Sequence, residues 1–336
     1  MFSHKAEPCL SIVVPFFNEA EHLETVVKHI CAAVKPLELS FELILIDDGS
    51  CDGTWQVIVN LVTHVQGLHA LRLSRNFGKE AALIAGLNIA RGKAVITMDG
   101  DLQHPPSLIA EMVARWREGK VDIVEAVKTA HDRGTPWNRL GARAFYGLQK
   151  KLTGTDLEGA SDFKLLDRKV VDAWKQIGER NLFYRGLCRW FGYRRDQVHF
   201  VVEERVGGES KWSPFKLLEL AMTGILSFSS LPLQLTTLLG LIFLSFSGLL
   251  GLQTLYMKLA GNAVSGFTTV ILLLLITGSL VLISLGIIGA YLAQIYEEVK
   301  GRPRYLISEK ITSPDPVPPS RKEGENGSPT LSQASA

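Results

Sequence analysis

AVITMDGDLQHPP, residues 94–106, decides how the rest of the chain is read. Here an apolar run stops at two carboxylates, Asp99 and Asp101, one residue apart. The run has the length and composition of a short buried strand, which would deliver both acids at its carboxyl end. Gly100 between them frees the backbone, so both can turn toward one hard cation. Magnesium or manganese suits the pair, because such an ion keeps few protein ligands and completes its octahedron with water and substrate phosphate. The Gln103 carbonyl is a candidate third ligand. Taken alone, Asp-Gly-Asp also fits an ordinary surface turn, so the flanking pattern has to decide.

Outward from this stretch the chain alternates. SIVVPFF (11–17) reads as a first strand, after which Asn18 caps a helix to about Val34, with Glu19 and Glu21 in its first turn. FELILIDDGS (41–50) repeats the scheme, its strand ending at Asp47 and Asp48 before a helix from Thr54 to about Val65. LHALRLS (68–74), a helix over 79–90, AVITMD (94–99), a helix over 106–118 and VDIVEAV (121–127) continue it. Strands alternating with helices imply βαβ units and a parallel sheet. Ligands of such sheets bind beyond the carboxyl ends of the strands. Three strand ends therefore meet at one crevice, carrying Pro15 to Glu19, Asp47 with Asp48, and Asp99 with Asp101. Acids at one end could be helix caps; acids at several point to a site. No G-x-G-x-x-G follows the first strand and no P-loop motif occurs, so a nucleotide here would be held by acids and a metal.

The 336 residues are 46% hydrophobic, enough for an ordinary α/β domain plus something more apolar. With 36 basic and 34 acidic residues the net charge is +2, which gives no global field for nucleic acid. Cys9, Cys31, Cys51 and Cys188 show neither metal-ligand spacing nor disulfide density and read as reduced thiols in a cytosolic domain. MFSHKAEP lacks the apolar core of a signal peptide.

VPFFNE, LIDDGSCDGT, SRNFGKEAAL, MDGDLQHPP and GASDFKLLDRKVV, in this order, resemble the motif series of family 2 glycosyltransferases, specifically the polyprenyl-phosphate sugar transferases. The resemblance covers about residues 10 to 310. It implies a GT-A-type, Rossmann-like, mostly parallel α/β sheet and transfer from a nucleotide sugar to a polyprenyl phosphate. By position, it implies that Asp47 hydrogen-bonds the nucleobase, with Pro15, Phe16, Glu19 and Asp48 lining the nucleoside pocket. Asp99 and Asp101, with Gln103, would hold a Mg2+ or Mn2+ ion bridging the donor diphosphate. Asp162 would sit at the reaction centre as base or acceptor-positioning group. Two residues depart from the pattern: Phe17 stands where Tyr is frequent, and His104 replaces a common Asp, which makes the site less acidic.

After Val127, HDRGTPWNRLGARAF carries Arg133, Arg139 and Arg143. It could be a solvated basic segment, but it follows the fifth strand and so opens on the same crevice. The planar guanidinium matches phosphate oxygens, making Arg133 and Arg139 candidates to grip the acceptor phosphate. RNLFYRGLCRWFGYRRDQVHF (180–200) interleaves aromatics with Arg185, Arg189, Arg194 and Arg195 and fits a membrane-facing rim. QVHFVVEE reads as a strand. It leads to RVGGESKWSP (205–214), whose Arg205 and Lys211 resemble a family loop near the diphosphate.

The cytosolic transferase domain is thus expected over 1–212. Residues 213–230, with Phe215, Leu218, Met222 and Ile225 at helical spacing, form an expected amphipathic interfacial helix. Within 231–296, two charge-free runs each supply the ~20 apolar residues of a membrane span, at about 233–257 and 268–293. Lys211 and Lys216 before the pair, and Lys300, Arg302 and Arg304 after it, put both ends in the cytoplasm. Gly278, Ser284, Gly286 and Gly289 mark a close-packing face through which copies of the chain could associate. Residues 297–336 read as a juxtamembrane segment and, after Ile311, a disordered tail. The expectation is a membrane-bound enzyme of the inner or plasma membrane. A processive polysaccharide synthase fits less well, since Gly186 stands where the Gln of Q-x-x-R-W should be, and a non-catalytic scaffold fits poorly with intact acids at three strand ends.

Overall fold

A computed structural model describes residues 8–101, 104–128, 160–179, 184–200, 231–261 and 266–313. It contains β1 (Leu10–Phe16), α1 (Ala20–Val34), β2 (Phe41–Asp47), α2 (Thr54–His64), β3 (Leu68–Leu73), α3 (Lys79–Ile89), β4 (Ala94–Thr97), α4 (Leu108–Arg117) and β5 (Ile123–Lys128). These follow the alternation read from the sequence. Beyond them lie β6 (Ala160–Asp167), α5 (Arg168–Gln176), α6 (Tyr184–Trp190) and β7 (Arg195–Phe200). The chain continues with α7 (Leu231–Leu259), α8 (Phe267–Val299) and β8 (Ile307–Thr312).

The described strands form one sheet in the order β7-β5-β6-β4-β1-β2-β3-β8. β1 pairs in parallel with β2 and β4, β2 with β3, and β5 with β7. β6 runs antiparallel between β4 and β5, and β8 runs antiparallel along β3. The expected α/β, mostly parallel architecture is therefore present. β1 is buried along its whole length, as a strand covered on both faces must be, which explains its unbroken apolar run. On one face Ile12, Val14, Leu43 and Leu45 pack with Leu23 and Ile30 of α1, Ile58 of α2 and Met112 of α4. On the other Val13, Ile44, Ile46 and Leu71 pack with Leu83 and Leu87 of α3, Val170 and Trp174 of α5, and Leu187 of α6.

One reading needs correction. Asn18 does not cap α1. It takes a left-handed conformation (φ 54°), and its side-chain oxygen accepts a hydrogen bond from Cys51 N at 3.0 Å, tying the β1 end to the β2 end. The conformation is one that Asn tolerates better than most residues. The segment after the second apolar helix, for which the sequence suggested no strand, carries one. β8 closes the β3 edge, anchored by Ser313 N to Leu68 O at 2.8 Å and by Ser74 N to Leu306 O at 2.9 Å. Of its six mostly exposed residues only Ile307 and Ile311 are apolar, too few to mark a strand by pattern, so pairing with an existing edge makes it one.

α7 and α8 contain runs of 27 residues, Leu233–Leu259 and Leu273–Val299, with mean hydropathies of 2.0 and 2.4. Both are long and apolar enough to cross a membrane and form a candidate hairpin. Their large side chains are not covered by the rest of the protein: Leu244 is 69% exposed and Leu282 71%. The expected interfacial helix at 213–230 lies outside the described residues, as does residue 314 onward.

At the amino end of the sheet a buried carboxylate fixes β1 to β2. Glu42 accepts hydrogen bonds from Ser11 Oγ (2.6 Å), Arg91 N (2.7 Å) and Arg91 Nη2 (2.9 Å), with His69 Nε2 3.3 Å away. Burial by itself would raise this carboxyl, but the donors around it bring it down to about 2. A depressed folded value means that the stabilisation is complete above the ordinary value of 4.5 and is lost as pH falls toward 2. Glu42→Gln should therefore cost about 1–3 kcal/mol near neutrality. Denaturation curves of wild type and variant should converge between pH 4.5 and pH 2; a difference independent of pH would contradict this role.

Candidate active site

Because β1, β2 and β4 are parallel neighbours, their carboxyl ends lie at one edge of the sheet. A cavity of about 300 Å³ opens there, lined among others by Pro15, Phe16, Glu19, Asp48, Lys79, Asp99 and Asp101. The convergence expected from the sequence is thus found for these residues. Asp47 sits behind the lining. It is fully buried, its Oδ1 accepting from Ser50 N at 2.9 Å and its Oδ2 lying 3.3 Å from Arg72 Nε. Asp48 accepts from Phe77 N (2.8 Å) and Gly78 N (2.9 Å) and so shapes the loop entering α3; burial raises its carboxyl above the usual range.

Asp99, Asp101 and His104 bring one ligand atom each to within 4.8 Å of one another. His104 is buried between the rings of Phe163 and Phe200, at centroid distances of 5.6 and 5.5 Å, and its Nδ1 is 3.7 Å from Asp99 Oδ2. The residue that appeared to weaken the acidic motif therefore stands where it can supply a third donor. Two carboxylates and an imidazole fit manganese well and magnesium less well, since imidazole is a softer ligand than oxygen. Gln103 lies outside the described residues, as do Arg133, Arg139, Arg205 and Lys211.

Gly100 is needed for close approach. A Cβ there would collide with the Phe16 ring and lie 3.0 Å from Glu19 Oε2. Glu19 itself is pushed up to about 7, first by burial and then by Asp101 and Asp99.

Asp162 enters from a different direction. β6 runs back along β4, so its early residues reach the edge where β4 ends, and Thr97 Oγ1 donates to the Asp162 carbonyl at 2.7 Å. Arg185 of α6 grips the Asp162 carboxylate through Nε (2.7 Å) and Nη2 (2.9 Å). Lys79 bonds the same carboxylate and lies 2.5 Å from Asp99 Oδ1. Burial by itself would raise Asp162, but Arg185 and Lys79 reverse the effect and hold it well below the usual carboxylate range. Asp162 therefore orients two cations, of which Lys79 lines the cavity.

Lys79 and Arg185 were not singled out from the sequence. Lys79 lies in the SRNFGKEAAL motif, where its place before a helix is equally that of a solvated lysine. Arg185 lies in the segment read as a membrane-facing rim, and that reading is corrected for three of its four arginines. Arg185 pairs with Asp162, Arg189 Nη2 lies 3.4 Å from Glu125 Oε2, and Arg194 pairs with Asp122 at 2.8 Å. Glu125 also takes the buried Lys164 at 2.6 Å, so charge is compensated below the site as well as in it.

With this geometry in view, the chain was compared with known proteins. Residues 11–174 match the model of the glycosyl transferase family 2. An uncharacterized glycosyltransferase of Synechocystis sp. is 42% identical over 89% of this chain and 95% of the relative. The SfII prophage-derived bactoprenol glucosyl transferase of Shigella flexneri is 39% identical over 89% of this chain and 97% of that protein. Among solved structures, mannosyl-3-phosphoglycerate synthase from Rubrobacter xylanophilus is similar at a TM-score of 0.47 and 19% identity, over 64% of this chain and 71% of that one. The chain belongs to glycosyltransferase family 2, and it is a glycosyltransferase.

Gly100→Ala tests the closeness of the acidic loop to Phe16 and Glu19. The added methyl should cost about 1–3 kcal/mol if the ring yields. Turnover should fall by roughly 10²-fold, as expected for a misplacement near 1 Å at reacting groups. Melting curves and initial rates measured together would show it; wild-type turnover would mean that the loop tolerates the shift.

Proposed function

We propose that this glycosyltransferase moves a sugar from a nucleoside diphosphate donor, UDP-glucose-like, to a polyprenyl phosphate at the cytoplasmic face of a membrane. The observation that carries the chemistry is the Asp99, Asp101 and His104 cluster in the cavity at the strand ends. The lipid acceptor is supported by relatives named bactoprenol glucosyl transferases and by two helices apolar enough to cross a membrane.

In this reading Pro15, Phe16, Glu19 and Asp48 hold the nucleoside, Asp47 meets the base, and Arg205 and Lys211 approach the diphosphate. Asp99, Asp101 and His104 hold a divalent cation, Mg2+ or Mn2+. When bound, such an ion stabilises the negative charge that develops on the departing diphosphate. An acceptor phosphate oxygen attacks the anomeric carbon, the bond from that carbon to the donor phosphate oxygen breaks, and the nucleoside diphosphate leaves. A phosphate monoester has a second pKa of ~6, so its oxygen is already substantially ionised and needs no strong base. This agrees with an Asp162 that is committed to Lys79 and Arg185 and serves to orient them. Arg133 and Arg139 would grip the acceptor phosphate from the loop after β5.

The membrane arrangement is supported by β8, which follows α8 yet pairs with β3 of the domain that precedes α7. A strand must lie on the same side as its sheet, so the two apolar helices would cross out and back, leaving both flanks cytoplasmic.

The deciding assay incubates purified full-length protein in detergent with undecaprenyl phosphate and a panel of labelled UDP- and GDP-sugars. Transfer to the phosphate, and none to free prenol, is expected. Asp99→Asn or Asp101→Asn should lower it by more than ~10²-fold, the scale of losing a major electrostatic stabiliser. EDTA should abolish it and Mn2+ or Mg2+ restore it; full activity in EDTA would exclude the metal.

For topology, Asn262→Cys in the link should react with an impermeant thiol reagent applied to intact cells. Lys310→Cys on β8 should react only after permeabilisation. The opposite pattern would overturn the orientation.

A further inference from the structure

The strand that follows the membrane-spanning candidates reaches back to the donor pocket through three side chains. Glu309 of β8 accepts from Arg72 Nη1 at 2.9 Å and from Trp55 Nε1 at 3.1 Å. Arg72, on β3, lies with its guanidinium 5.8 Å from the centre of the Trp55 ring. Its Nε is 3.3 Å from Asp47 Oδ2, an oxygen that is buried and accepts no hydrogen bond among the described residues. Backbone register puts the three in line: Asp47 pairs with Arg72 across β2 and β3, and Arg72 pairs with Glu309 across β3 and β8. Trp55 is itself buried, 3% exposed, and its ring lies beside the guanidinium.

We propose that Arg72 is a positioning residue for donor-base recognition, held by Glu309, so that the C-terminal strand tunes nucleotide affinity and selectivity. This rests on the reading that Asp47 meets the nucleobase. Asp47 Oδ1 already accepts from Ser50 N, whereas Oδ2 accepts no hydrogen bond among the described residues and is the freer acceptor for a base N–H. The guanidinium beside Oδ2 fixes the side-chain rotation and the direction in which that oxygen is presented. Freed from Glu309, the long Arg72 side chain regains its rotamers and holds Asp47 less firmly. The fork of Arg contacts both carboxylates from one planar group, which an ammonium does not reproduce. The path is covalently continuous with α8 through Arg304, which bonds Ile177 O, and Tyr305, whose hydroxyl accepts from Asn88 Nδ2 at 2.8 Å.

Binding of UDP and of GDP to full-length protein in detergent, measured by calorimetry alongside donor and acceptor KM, tests this. Arg72→Gln should weaken the tighter-bound nucleotide about 10-fold, and Glu309→Gln about 2- to 5-fold, the second smaller because that pair is partly exposed and screened. Both should narrow the preference between UDP and GDP while the acceptor KM stays unchanged, and Arg72→Lys should recover only part of the loss. Lys310→Ala, an exposed change on the same strand, should bind as wild type. If Asp47→Asn loses nucleotide affinity but Arg72→Gln and Glu309→Gln do not, Asp47 is positioned without them and the proposal is overturned. Should Lys310→Ala match Glu309→Gln, the strand acts only as structure, and it is overturned equally. If Asp47→Asn itself binds both nucleotides as wild type, the reading of Asp47 fails and the positioning role with it.

Discussion

Lys79 holds together two carboxylates that would otherwise repel. Asp99 arrives at the end of β4 and Asp162 near the start of β6, and the ammonium lies against both. Like charges gathered in a partly desolvated cavity shift their protonation or push apart. Glu19, which lacks such a partner, is displaced to about 7, whereas Asp162 is held well below its ordinary range. With Arg185 on its other side, Asp162 becomes the fixed point between two cations, of which Lys79 lines the cavity. The metal-binding candidates and the cations Lys79 and Arg185 are thus parts of one charge balance, in which moving any one carboxylate disturbs the others.

That balance depends on sheet order. Parallel β1, β2 and β4 bring their acids to one edge, but Asp162 comes from an antiparallel strand inserted beside β4. Reversal of direction lets a residue at the beginning of β6 stand next to residues at the end of β4. Beneath it, Lys164, Glu125 and Arg189 repeat the compensation in a fully buried setting, where an unpaired charge would cost several kcal/mol. At the opposite end of the sheet, Glu42 joins β1 to β2 with Ser11 and Arg91. The apolar layers on both faces of the sheet between these polar ends keep both sets of charges at fixed separations.

The C-terminal strand adds a second organising constraint. β3 would otherwise present an open edge, with unpaired N–H and C=O groups; β8 covers it and contributes Glu309 to the Asp47 side of the pocket. A chain that leaves the domain through two long apolar helices and returns to complete its sheet ties the position of those helices to the β3 edge and so to Arg72 and Asp47.

By itself the sequence determined what repeats locally or carries an unusual composition. The βα alternation, the acids at strand ends, and the two charge-free runs are each encoded within about 20 residues, because burial on both faces and bilayer thickness leave direct marks on residue order. Tertiary structure decided what depends on which distant residues meet. Asn18 looked like a cap and became a bridge to Cys51, because the β2 loop arrives beside it. Arginines 185, 189 and 194 looked like a lipid-facing rim and instead found carboxylates on β5, β6 and the loop before β5, since ion pairing depends on proximity in space and leaves no periodic signature. His104 looked like a lost acid and sits within ligand distance of two others once the chain turns after β4. β8, polar and mostly exposed, has no period to read; it is a strand only because β3 offers it an edge.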